Sequence, residues 1–156
     1  MVEAQRTGGY VGTFASRKLV HLIESNAVEL TRRYLEDVQR HPRLPTYRDF
    51  DQRELYGRAF SVYSQLGKWI SHEASHDEVK KTWTELGRIR REEGFPLSEV
   101  ILSLCLLRRH LWEKVQAEGF IDSAFDLIQA LELQNRVVLF FDRAVFYAAV
   151  GYEHRE

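Results

Sequence analysis

Residues 96–115 read PLSEVILSLCLLRRHLWEKV, and this stretch decides the fold. Leu97, Val100 or Ile101, Leu104, Leu107, Leu111 and Val115 recur at intervals of three and four, the period of one helix face, where a strand would alternate every second residue. Pro96 stands in a first turn, where its missing N–H has no intrahelical acceptor to serve, and Gly119 closes the run. The spacing predicts a strongly apolar, central helix, and such a helix needs others around it.

The neighbouring segments carry the same period. Ser75 and Glu78 have the spacing of a capping box, and Val79, Trp83 and Leu86 lead from them to Gly94, a residue suited to a left-handed helix end. Arg88, Arg90 and Arg91 gather in that last turn, where the helix dipole favours cations. Asp51 and Glu54 open an earlier helix along Leu55, Ala59, Val62, Leu66 and Trp69. Before it, one helix over 14–40 is predicted from Val20, Ile23, Ala27, Leu30, Tyr34 and Val38, ended by His41-Pro42-Arg43-Leu44-Pro45. After Gly119, Asp122 or Ser123 caps a last helix of about 30 residues, long for a globular protein. Its expected core stripe is Ile128, Leu131, Val138, Phe141, Val145 and Ala149.

That last helix also carries Phe140, Phe141, Phe146, Tyr147 and Tyr152 on more than one face. A helix apolar on two sides requires two partners, its own core and a second subunit. Phe140, Phe141, Phe146 and Tyr147 are therefore the expected homodimer interface. The pattern as a whole predicts an all-α single domain of five main helices over 14–156. A flexible lead-in over 1–13 precedes it, where Gly8, Gly9 and Gly12 break any periodicity.

Composition bounds the function. A chain of 156 residues makes one domain with a sizeable core, and 44% hydrophobic residues exclude wholesale disorder. Lys plus Arg is 22 and Asp plus Glu is 23, and the resulting charge of −1 lacks the positive field that nucleic acids or anionic membranes select. The turn and helix over 92–100 imitate a helix-turn-helix, but Leu97, Val100, Ile101 and Leu104 belong to a core face, so no nucleic-acid partner is expected. The single Cys105, in an apolar run, is expected as a small core hydrophobe. No signal peptide and no apolar run of bilayer length is visible, so the expected setting is the cytoplasm without membrane insertion.

Catalytic and metal motifs are few. His72-Glu73-Ala74-Ser75-His76 fits H-E-x-x-H, in which two histidines one turn apart hold zinc and the glutamate polarises water. The capping signature of Ser75 and Glu78 places a helix start inside the motif, which would set His72 and His76 on either side of a junction. No metal is expected; a zinc hydrolase using His72, Glu73 and His76 is the alternative. Glu73-x-x-His76 has a di-iron spacing but lacks a second copy. His110, beside Arg108 and Arg109, and His21 are the candidates for a haem ligand; no cofactor is expected, with haem as the alternative. No phosphate-cradling glycine loop and no local nucleophile motif is found, so the chain is not expected to be an enzyme.

Three stretches carry a resemblance: Leu44-Pro45-Thr46-Tyr47-Arg48-Asp49, the run from Gly87-Arg88-Ile89-Arg90-Arg91 through Gly94-Phe95-Pro96 to Val100, and Leu106-Leu107-Arg108-Arg109-His110-Leu111-Trp112-Glu113. In this order the chain resembles the N-terminal domain of RsbRD-type proteins, the RsbT co-antagonists of bacterial stressosome signalling, from the first helix to Tyr152. The resemblance implies a non-enzymatic sensory input domain, globin-like or bundle-like, similar to the non-haem globin-like domain of RsbR proteins. It also implies a homodimer and a signalling partner protein or downstream output domain, such as a STAS domain or a histidine kinase. No such module lies within the 156 residues, so the domain is expected either to stand alone or to be part of a longer chain. Trp83, Arg88, Arg108, Arg109 and Trp112 are the residues expected to form a ligand pocket or signal-sensing patch. The plainer reading makes the arginines ion pairs with Glu92, Asp49 or Glu113, and the tryptophans core.

Overall fold

The structure, a computed structural model, describes residues 17–70, 76–118 and 122–154. Through them run α1 (Arg17–Ser25), α2 (Ala27–Arg40), α3 (Pro45–Asp49), α4 (Gln52–Ser64), α5 (Leu66–Ile70), α6 (His76–Glu92), α7 (Leu97–Ala117) and α8 (Ala124–Glu153). The expected all-α class holds, but the described residues form eight helices rather than five. The lead-in over 1–13 lies outside the described residues.

The extra divisions have local causes. At Asn26 the backbone N–H reaches back three residues to Ile23 O at 3.1 Å instead of four, while the side-chain amide donates to Leu22 O at 2.7 Å. This slip parts α1 from α2. Pro45 opens a helix of its own at the first turn, the position where proline is favoured, so the breaker that ends α2 also starts α3. Gln65, with φ −117° and ψ 23°, takes nearly the backbone angles of Asn26 (−107° and 21°) and parts α4 from α5. Asp51 and Ser123 cap as their residue types suggest, accepting from Arg53 N at 2.9 Å and Asp126 N at 3.2 Å.

Two of the quoted stretches are bolted together. Gly94, at φ +88°, ends α6 in a Schellman turn: Phe95 N–H donates to Arg90 O at 3.0 Å and Gly94 N–H to Arg91 O at 3.1 Å. The turn drives Phe95 into the core against Tyr47 and Phe50, with ring centroids 4.3 and 4.8 Å away. Buried Glu99 then accepts from the Thr46 backbone N–H at 2.9 Å and the Thr46 hydroxyl at 2.7 Å, capping α3 from α7. At the far end of the chain, Tyr152 donates to Phe95 O at 2.7 Å, and Arg91 donates to Tyr152 O at 2.8 Å.

One core joins the helices. Helix α7 packs on α1, α2, α6 and α8, as a central helix should, and α6 lies along α8 in the most extensive pairing. The buried face of α8 is Ala130, Leu133, Val137, Phe140, Phe141, Ala144, Ala148 and Gly151. The expected stripe is corrected: of its six members only Phe141 is fully buried, whereas Ile128 and Leu131 are 62% and 50% exposed. Large side chains mislead here because α6 comes close enough to α8 that alanine and glycine form the contact.

Candidate functional site

Between α2, α3, α4, α6 and α7 the core holds a cavity of about 40 Å³ with a mainly apolar lining, into which Tyr34, Tyr47, Arg58, Trp83, Arg90 and Ser103 bring polar groups. Tyr34 on α2 and Ser103 on α7 meet hydroxyl to hydroxyl at 2.5 Å. Tyr47 on α3 lies with its hydroxyl beside both Ser103 and Arg90. Burial, above all, pushes the phenols of Tyr34 and Tyr47 upward, so at neutral pH both are uncharged hydroxyls.

Arg90 lines the same cavity at 7% exposure. It is inside because it continues the buried face of α6 through Val79, Trp83 and Gly87, where the helical period demands a core residue. Its Nη1 donates to Glu93 at 3.1 Å, and Arg58 from α4 grips the same carboxylate with two bonds at 3.0 and 2.5 Å. Partial burial pushes Glu93 up, but Arg58 and Arg90 more than offset it and hold the carboxyl below its ordinary value. Glu54, 60% exposed, also lies 3.7 Å from Arg58, so the whole cluster is neutral and a positive excess is confined to its less exposed members Arg58, Arg90 and Glu93. Trp83 is 2% exposed, and its indole Nε1–H has no acceptor among the described residues.

Outside the cavity lies a cleft of about 480 Å³ between α4 and α6. Arg58, Val62, Trp83, Leu86 and Arg90 line both spaces, so the two are separated only by side chains. Trp69 on the cleft wall extends the aromatic surface to α8: its ring lies 5.9 Å from Trp83 and 5.7 Å from Phe140, and Trp83 lies 5.5 Å from Phe140.

Of the residues expected to sense a ligand, Trp83 lines the cavity; Arg88, Arg108, Arg109 and Trp112 are not among its walls. Arg88 is exposed and bonded to Glu85 and Glu92 on its own helix, so the expected Glu92 pair is present. Arg108 lies 3.9 Å from Asp142 across α7 and α8, in place of the expected Asp49 or Glu113. Arg109 is exposed, and Trp112 is half-buried against the core. Arg90, read in sequence as a dipole cation, is the buried cation of the site. Tyr34, Tyr47, Arg58 and Ser103 are site residues that the sequence reading did not single out.

The interface expectation is corrected at two of four positions. Phe140 and Phe141 are 3% and 1% exposed, covered by their own chain. Phe146 is exposed, and Tyr147 is half-buried with its hydroxyl 2.7 Å from His76 Nε2. His72 and Glu73 lie outside the described residues. His110 directs Nε2 at Asp37 at 3.0 Å and Nδ1 towards Glu113 at 3.6 Å, His21 is exposed, and Cys105 is half-buried. No group of three His, Cys, Asp or Glu that could hold a metal ion occurs among the described residues, and no helix there is long and apolar enough to cross a membrane.

Residues 28–156 match the family described as the RsbT co-antagonist protein rsbRD N-terminal domain. No curated protein and no solved structure gives a significant match to the chain. The family match takes in α2 to α8, and with them both the bolted Thr46–Glu99 contact and every residue lining the cavity. The chain therefore belongs to the rsbRD N-terminal domain family.

Proposed function

We propose that this domain is a cytoplasmic, non-enzymatic sensory input module that forms a homodimer through the outer face of α8 and relays its signal along that helix to a signalling partner or output domain. Membership of a sensory and regulatory family supports the input role. The observation that carries the dimer is a row of exposed apolar side chains on α8: Ile128, Leu131, Leu139, Phe146 and Val150, opposite the face that packs on α6. These side chains are 40–62% exposed, so covering each stabilises by about 0.5–2 kcal/mol, and leaving five of them in water is costly. Asn135 and Asp142 punctuate the row at helical spacing, and a polar residue in an otherwise apolar seam sets register between paired helices.

The relay follows from what lies on the other face. Phe140 sits against Trp69 and Trp83 beside the cavity, and the next residue, Leu139, is exposed on the apolar row. A ligand that favours one packing of the Trp83–Phe140 contact favours one setting of α8, and with it one arrangement of the dimer. Light scattering across concentration tests this. The particle is expected at twice the 18.4 kDa of the chain, and Leu139→Asp with Phe146→Asp is expected to return it to 18.4 kDa with helicity intact. A wild-type protein that stays monomeric at hundreds of micromolar contradicts it.

A further inference from the structure

We propose that the cavity behind Trp83 binds the carboxylate group of a short-chain monocarboxylic acid, held by Arg90 and the Trp83 indole N–H, with the hydrocarbon tail leaving past Val62 and Leu86 into the outer cleft. The lining is mainly apolar, and its charged members are the two cations Arg58 and Arg90. Glu93, which is not among the lining residues, accepts from both Arg58 and Arg90 behind the wall. Arg90 has five N–H donors, of which Nη1 is directed at Glu93, with the Tyr47 hydroxyl as a second acceptor beside the guanidinium. Buried Trp83 presents a donor that nothing among the described residues satisfies, a costly arrangement unless an acceptor arrives.

Size and charge narrow the class. A cavity of about 40 Å³ has room for roughly three water-sized centres, the heavy-atom count of one carboxylate. With Glu54 in solvent at the cleft, the one positive charge in excess among Arg58, Arg90 and Glu93 matches a monoanion at most, and a phosphate or sulfate dianion would stay uncompensated in a buried site. The shared walls Val62 and Leu86 are apolar, and the cleft beyond them accommodates a tail. A planar carboxylate also suits the fork of a guanidinium.

Binding is independent of dimer formation; that it acts as the signal rests on the reading above. The test follows the indole N–H resonances of Trp69, Trp83 and Trp112 in the full chain, assigned with Trp83→Phe, while sodium propanoate, propanamide or sodium chloride is added at constant ionic strength. Propanoate is expected to move the Trp83 resonance saturably and leave that of Trp112 in place, whereas propanamide and chloride move neither. Arg90→Gln is expected to weaken binding roughly tenfold or more, and Arg58→Gln, at a less buried position, provides a second charge deletion that also weakens it. No saturable movement of Trp83 up to tens of millimolar propanoate, or an equal movement with chloride, overturns the proposal. Light scattering on the same samples keeps the two readings apart: a dimer without propanoate binding overturns the site alone, and a propanoate-binding monomer overturns the relay alone.

Discussion

Gly87 on α6 and Gly151 on α8 open the same helix crossing from opposite sides. A Cβ on Gly87 would fall 1.9 Å from the carbonyl oxygen of Ala148, and one on Gly151 would fall 1.8 Å from that of Thr84. The two backbones touch where any side chain would hold them apart. In an ordinary helix interior, glycine to alanine gains about 0.5–1 kcal/mol. Here Gly87→Ala and Gly151→Ala are each expected to lose about 1–3 kcal/mol or more, because the clash is with backbone and cannot be relieved by a rotamer change. Urea unfolding measures the loss, and an alanine variant as stable as the wild type would show that the helices are not in backbone contact.

Glu99 caps α3 from another helix, and its removal leaves the half-buried Thr46 N–H without its acceptor. Glu99→Ala is expected to cost about 1–3 kcal/mol, with Glu99→Gln between it and the wild type because one acceptor oxygen remains. Amide hydrogen exchange at Thr46 gives a local reading. Protection there should fall in Glu99→Ala by more than it falls in α8.

Glu93 has its carboxyl held below the ordinary range by Arg58 and Arg90, against the upward push of partial burial. A depressed folded pKa means stability that is fully present above the unfolded value of about 4.3 and lost as pH falls below it through the folded value. The melting temperature of the wild type should therefore drop more steeply than that of Glu93→Gln on acidification below that point. Glu29 and Glu85 are also held low, by Lys114 and Arg88 respectively, so the comparison with Glu93→Gln isolates the buried pair. Parallel curves would mean that this carboxylate gains nothing from its two arginines.

Phe140 and Phe146 make an internal control on one helix. Phe140→Ala empties a buried aromatic contact with Trp69 and Trp83 and is expected to destabilise the fold by about 3–5 kcal/mol. Phe146→Ala removes an exposed ring and is expected to change the stability of the isolated chain by about 0.5 kcal/mol or less while weakening self-association. Chemical unfolding at low concentration reads the first effect and light scattering the second. Equal destabilisation by both would place Phe146 in the core.

The helices were legible because their apolar residues keep the 3.6-residue period: Ile23, Ala27, Leu30, Tyr34 and Val38 are all buried as their spacing requires. The breaks at Asn26 and Gln65 were not, since a shift from four-residue to three-residue bonding leaves that spacing almost unchanged. On α8 the reading followed large side chains and so took exposed Ile128 and Leu131 for core, while four of the eight residues of the true core face are the small Ala130, Ala144, Ala148 and Gly151. Phe140 and Phe141 were assigned to a partner for the same reason. At the site, Trp83 was found as an aromatic on a helix face, but Arg90 was hidden by a sufficient local explanation, the dipole at the end of α6. The available signal was its place seven residues after Trp83 on the same buried face. Tyr34 and Ser103 lie 69 residues apart, and no local pattern announces that their hydroxyls meet.

The outer face of α8 is tested most directly by isotope-filtered nuclear Overhauser contacts in an equal mixture of labelled and unlabelled chains, which reports only atoms that meet between copies. Dimerisation through this face predicts intermolecular contacts from Leu131, Leu139 and Phe146 and none from Leu133 or Phe140. An absence of intermolecular contacts at hundreds of micromolar, or contacts centred on another helix, would contradict it.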